Sequence, residues 1–270
     1  MAISNSLLPE FGAPPVTEVA LGVQFEQVDL LPAHLGLWAL KMRKLGYTVF
    51  EQHPPLDPVF EKFGKGSGAQ ELKFDFGPPP IRSWFLQPDN SRLIQLQPDR
   101  FIHNWRKAGM DSEYPRYDTI RREFEDRWNE FVNFFLSESG SQIAPNQVEV
   151  TYVNLISVEA GSDLSSALGL AGSQFTDGFL PAAENSQLSS TFVMPDIEQA
   201  VGRLRVSAQT AIDAKTKKPI CILKLTARGA PLSSDADGIL QFMDVGREWI
   251  VRGFADVTTS EMHKNWKRER

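Results

Sequence analysis

A single cysteine, Cys221, serves a chain of 270 residues. One thiol can neither close a disulfide within the chain nor build a thiolate-based zinc site, and it suits a reducing compartment. Histidine is nearly as scarce: His34, His53, His103 and His263 fall in four separate predicted elements. None shows the i, i+4 spacing of a zinc-hydrolase helix. No metal and no cofactor are therefore expected. A Gly-x-Ser-x-Gly elbow is also missing, so nothing in the pattern points to a hydrolase triad. No run approaches the roughly 18 uninterrupted apolar residues of a membrane-spanning helix. The opening Met1-Ala-Ile-Ser-Asn-Ser-Leu-Leu lacks the basic start and apolar core of a signal peptide. The expected setting is cytoplasmic, away from membranes.

Positive charge is in the minority, with 28 Lys and Arg against 34 Asp and Glu and a net charge of −6. Broad, non-specific attraction to nucleic acid is disfavoured by that balance. The glycine run Gly64-Lys65-Gly66-Ser67-Gly68 invites a phosphate-loop reading. Its spacing does not match, because the Lys and Ser/Thr do not follow a second glycine after a four-residue gap. A flexible loop is expected there.

What is present is an ordinary globular balance, 41% hydrophobic and 23% charged, arranged in clear periods. Val19, Leu21, Val23 and Phe25 alternate with more polar neighbours and predict a strand over 16–26. Leu35, Trp38, Met42 and Leu45 recur at three or four, with Pro32 before and Gly46 after, and predict a helix over 32–45. Tyr47 to Glu51 returns as a strand. The proline-rich and glycine-rich stretch 53–80 reads largely as loop. Leu86-Gln-Pro-Asp89 and Leu96-Gln-Pro-Asp99 repeat a turn signal ten residues apart, which predicts a meander of strands near 81–87, 91–97 and 100–106. Tyr117, Ile120, Phe124, Trp128, Phe131 and Phe135 then mark a long helix over 117–136.

The second half replays this order: a strand at 147–158, a short helical stretch around 163–171, strands near 187–194, 202–212 and 219–228, and a long helix from about Asp235. Its apolar stripe reads Ile239, Phe242, Met243, Trp249, Ile250 and Phe254. The expected fold class is α+β. A duplicated strand-helix-antiparallel strands-helix unit spans 1–140 and 147–270, with helices on one face of an antiparallel sheet. This order resembles, in topology, the saddle of the TATA-box-binding protein fold, which implies an uncovered sheet face and no particular ligand.

Two strands supply candidate binding residues. In Phe101-Ile-His-Asn-Trp-Arg106, alternation sets Phe101, His103 and Trp105 on one face and Ile102, Asn104 and Arg106 on the other. In the last meander, Leu204, Val206, Ala208 and Ile212 oppose Arg203, Arg205, Ser207 and Gln209. Asn104, Arg106, Arg203, Arg205 and Gln209 are thus the expected binding residues, offering forked guanidinium and amide groups to carboxylate, phosphate or peptide. A solvated sheet face is the plain alternative. Glu18 and Glu149 read as structural ion-pair or hydrogen-bond partners at the sheet rim, and Trp128 and Trp249 as core.

The motifs Ala13-Pro-Pro-Val-Thr-Glu-Val19, Leu93-Ile-Gln-Leu-Gln-Pro-Asp-Arg-Phe-Ile-His-Asn-Trp-Arg106, Tyr114-Pro-Arg-Tyr117 and Tyr152-Val-Asn-Leu-Ile156 extend across most of the chain. Through them the chain resembles a sporadically distributed prokaryotic family of uncharacterised proteins of similar length. The resemblance implies no activity and no catalytic residues. Its patchy distribution implies an accessory role in mobile or defence-associated loci. The expectation is a non-catalytic binding or regulatory protein that engages a protein partner or a second copy of itself. Binding of nucleic acid on the open sheet face is one alternative, and an enzyme with a site dispersed over the chain is the other.

Overall fold

The computed structural model describes residues 7–63, 81–109, 112–158, 164–169, 179, 183, 185–195, 200–214, 216–233 and 236–270. The glycine run at 64–68 and the start of the last long helix at Asp235 lie outside them; the short helical stretch expected around 163–171 is a single 3-10 turn, Leu164–Ser166, within the described residues 164–169.

The strands are β1 (Val16–Phe25), β2 (Val49–His53), β3 (Arg82–Leu86), β4 (Arg92–Gln97), β5 (Arg100–Arg106), β6 (Pro145–Ser157), β7 (Gln187–Met194), β8 (Gly202–Ile212) and β9 (Pro219–Gly229). The helices are α1 (Pro32–Lys44), α2 (Tyr117–Ser139), α3 (Ala236–Val257) and α4 (Ser260–Asn265). The fold is α+β. Its strands form an open antiparallel sheet in the order β2-β3-β4-β5-β1-β6-β9-β8-β7. No helix among the described residues is long and apolar enough to cross a membrane.

The chain clusters into two compact units. One holds Val19–Glu149 and Arg228–Met243 and is called the β5 unit; the other holds Met1–Glu18, Val150–Ala227 and Asp244–Arg270 and is called the β8 unit.

In the β5 unit, the repeated Leu-Gln-Pro-Asp signal does close two hairpins. Pro98 and Asp99 alone separate β4 from β5. Asn90, at φ 60°, turns β3 into β4, where the Asp89 carboxylate accepts from the Ser91 N–H at 2.9 Å. That bond is the main cause holding the Asp89 carboxyl below its ordinary pKa. Gly46, at φ +91°, ends α1 in a conformation that disfavours other residues. Helix α2 lays Tyr117, Ile120, Phe124, Trp128, Phe131 and Phe135, all buried, on the sheet. Phe101 stacks on Phe131 at 5.4 Å between centroids, and Phe25 meets Trp128 and Phe131 at 6.1 Å. Trp38 of α1 closes the layer against Phe131 and Phe134.

In the β8 unit, Leu204, Val206 and Ala208 of β8 and Cys221, Leu223, Leu225 and Ala227 of β9 are buried. Helix α3 approaches them closely. A Cβ on Gly246 would come within 3.2 Å of Ala227 and Val150, so a larger residue there would have to push those side chains aside by a few tenths of an ångström. The stripe expected on α3 holds except at Trp249, which is only partly buried. Gly246, in line with Phe242, Met243, Ile250 and Phe254, faces the sheet instead, and Trp249 falls one position off that line. Helix α4 was not expected from the periodicity. Its N-cap Thr259 accepts from Met262 N–H, and Trp266 just beyond it packs on Phe254 at 5.1 Å.

Candidate functional site

Antiparallel pairing places opposed residues on one face, so the register of β2 to β5 assigns every side chain. Phe50 pairs with Phe85, Phe85 with Ile94, Ile94 with His103, and Leu96 with Phe101. These look toward α2. Glu51 pairs with Trp84, His53 with Arg82, Trp84 with Gln95, Gln95 with Ile102, and Leu93 with Asn104, which sets Glu51, His53, Arg82, Trp84, Gln95, Ile102 and Asn104 on the opposite face.

That opposite face carries a connected polar cluster. The His53 ring stacks on Trp84 at 3.7 Å between centroids and 29° between planes, and His53 Nε2 lies 2.9 Å from Glu51 Oε2. The guanidinium carbons of Arg106 and Arg82 stand 4.9 and 5.4 Å from the Trp84 ring, within cation–π range. Arg82 Nη1 donates to Gln95 Oε1 at 3.0 Å, and Gln95 Nε2 donates to Asn104 Oδ1 at 2.9 Å. Two donors in the cluster, Arg82 Nε and Trp84 Nε1, are buried with no hydrogen-bond partner among the described residues. An unpaired buried donor costs about 1–3 kcal/mol. Burial, followed by the like charges of Arg100 and Arg106, holds the Arg82 guanidinium below its ordinary pKa. The cluster is thus rich in donors and positive charge.

Beside it, residues 54–63 cross the same face as an extended strap held by glutamine side chains. Gln97 Oε1 accepts from Leu56 N–H at 3.0 Å while its Nε2 donates to Leu56 O at 2.9 Å. Gln24 Oε1 accepts from Val59 N–H at 2.8 Å, and Gln147 Oε1 from Glu61 N–H at 3.1 Å. Arg100 Nη2 donates to Asp57 O at 2.9 Å and to Gln24 Oε1 at 2.6 Å. Burial lowers the Arg100 pKa, against the opposing pull of Asp99 and Glu149.

Of the expected binding residues, Asn104 and Arg106 belong to this cluster. Asn104 is buried at 2% exposure, closed in by its amide pair rather than open to solvent. Arg203, Arg205 and Gln209 belong to the β8 unit, on the side of β8 away from Leu204, Val206 and Ala208, opposite Val193, Thr191 and Gln187 of β7. Arg203 and Arg205 are partly buried and Gln209 is exposed. Glu149 pairs with Arg228, whose Nε lies 2.8 Å from Glu149 Oε2. Sequence reasoning missed Glu51, His53, Arg82, Trp84 and Gln95. Alternation within Arg82-Ser-Trp84 and Glu51-Gln-His53 was the available signal; what joins them is the register between strands.

The other histidines serve the frame. His34 Nδ1 accepts from Leu31 N–H at the start of α1, and His263 sits between Thr258 and Arg268. His103 is wholly buried on the α2 side, with neither ring nitrogen hydrogen-bonded among the described residues and Glu123 Oε2 at 3.8 Å. Burial first, then Arg92 and Arg127, pushes its pKa down to about 3. Among the described residues no three His, Cys, Asp or Glu side chains gather as a metal site would require. No known family model matches this chain, and no curated protein matches it.

Proposed function

We propose that this chain is a non-catalytic binding or regulatory protein that engages a protein partner through the Trp84 face of the β5 unit. The observation that carries the reading is the cluster itself: an indole on β3 flanked by His53, Arg82 and Arg106, on the face turned away from α2. Trp and Arg are the residue types that dominate binding energy at protein interfaces. Reconstitution with a stoichiometric partner, identified by affinity capture from the native host and then purified, tests it. Trp84→Ala should abolish the complex while leaving the fold intact; an undiminished complex would refute the reading.

The finer reading of the fold is a duplication of the TATA-box-binding-protein type. It is supported by the strand order, which runs outward from β1 as β5, β4, β3, β2 and outward from β6 as β9, β8, β7. The motifs Leu93 to Arg106 and Tyr152 to Ile156 further support membership of the sporadically distributed prokaryotic family, and with it an accessory role in mobile or defence-associated loci.

A further inference from the structure

We infer that the Trp84 cluster is a carboxylate-accepting subsite, and that the partner presents to it an acidic side chain on an extended peptide segment. This rests on the proposed role of the face in binding a protein. Three features of the cluster carry it.

The first is the pair of buried donors, Arg82 Nε and Trp84 Nε1, that have no acceptor among the described residues. A carboxylate is acceptor-only when ionised and offers about four lone-pair sites on two oxygens, which is the chemistry that unfilled N–H donors call for. The second is charge. Arg82 has a neutral amide, Gln95, as its hydrogen-bond partner and feels Arg100 and Arg106 as like charges, while the Glu51 carboxylate lies against His53. An incoming anion relieves that repulsion, and charge-assisted bonds to guanidinium are the stronger kind. The third is the strap. The face already holds one extended stretch, 54–63, by pairing side-chain amides with main-chain N–H and C=O groups, which is the chemistry a second extended segment would meet.

The same geometry disfavours a nucleic acid. Base stacking needs an open aromatic face. The Trp84 ring is already stacked by His53 and has two guanidiniums within cation–π range.

The test uses the purified full chain and three probes of equal length: a Glu-rich synthetic peptide, the same peptide with every Glu replaced by Gln, and oligo-dT, each followed by fluorescence anisotropy. The Glu peptide is expected to bind at least about tenfold more tightly than the Gln peptide, equivalent to about 1.4 kcal/mol. Arg82→Gln is expected to erase that preference, and Arg82→Lys to restore it only in part, because a point charge lacks the guanidinium fork. Arg106→Gln provides a second variant if Arg82→Gln does not fold. Equal binding of the two peptides, a preference insensitive to both substitutions, or tighter binding of oligo-dT would each overturn the inference. A reconstituted partner lost on Trp84→Ala despite equal peptide binding would sink the carboxylate subsite alone and leave the protein-binding role standing.

Discussion

Strand β5 shows two chemistries back to back. Toward α2 it presents Phe101, His103 and Trp105 to a layer of rings; toward the other side it presents Ile102, Asn104 and Arg106 to amides, guanidiniums and one indole. The first face is held by shape and desolvation, in which each ring fills space left by others. The second is held by directed bonds, with two N–H donors, Arg82 Nε and Trp84 Nε1, left unfilled among the described residues. If the second face is the binding surface proposed above, stability and recognition divide between the two sides of one strand, and substitutions should separate them.

The largest effect is expected on the helix side. Phe131, fully buried among Phe25, Trp38, Phe101, Trp128 and Phe135, should cost about 3–5 kcal/mol when replaced by Ala, read as a drop in the urea midpoint. A loss as small as that of Trp84→Ala would break the division.

Next comes acid sensitivity. The His103 pKa is lowered from 6.5 to about 3 on folding, so between those values the unfolded chain binds a proton that the native chain refuses. Its contribution is whole above pH 6.5 and declines toward pH 3, by up to about 1.4 kcal/mol per pH unit. The groups about the ring are Arg92, Arg127 and Glu123. Urea titrations at pH 7 and pH 5 should show about 2 kcal/mol more acid loss in the native chain than in His103→Leu; parallel losses would show that the acid response comes from elsewhere.

On the opposite face, Gln97→Ala removes both amide bonds to Leu56 and leaves that N–H to water. A cost of about 1 kcal/mol is expected, together with faster hydrogen exchange at Leu56. Unchanged exchange would mean that the strap is held from its ends. Smallest in stability should be Trp84→Ala, within about 1 kcal/mol because the ring is only partly buried, although binding to a partner should vanish.

What could be seen in the sequence follows the range of the interactions involved. Helix α2 was legible because six apolar residues at steps of three or four state a local period, and the meander because its Leu-Gln-Pro-Asp turns are local as well. Trp249 misled because an apolar side chain one position off the stripe looks much like one on it, and the real sheet-facing residue, Gly246, has no side chain to announce itself. Asn104 and Arg106 were reachable from alternation in one strand. Their neighbour Trp84 needed the exact register of the β3–β4 hairpin, and His53 a pairing of β2 with β3 that spans the long 54–80 connection.

The strap also explains a spacing of prolines. Main-chain nitrogens at 56, 59 and 61 are taken by glutamine carbonyls, whereas the prolines, which have no N–H to offer, avoid those positions: Pro54 and Pro55 stand just before the first and Pro58 between the first and second. Because the brackets at 56 and 59 grip peptide groups, side chains along 54–60 carry less of the load and should drift more freely than the glutamines. A proline at 56, 59 or 61 is the change selection should purge, and the glutamines at 24, 97 and 147 should be the slower-evolving partners.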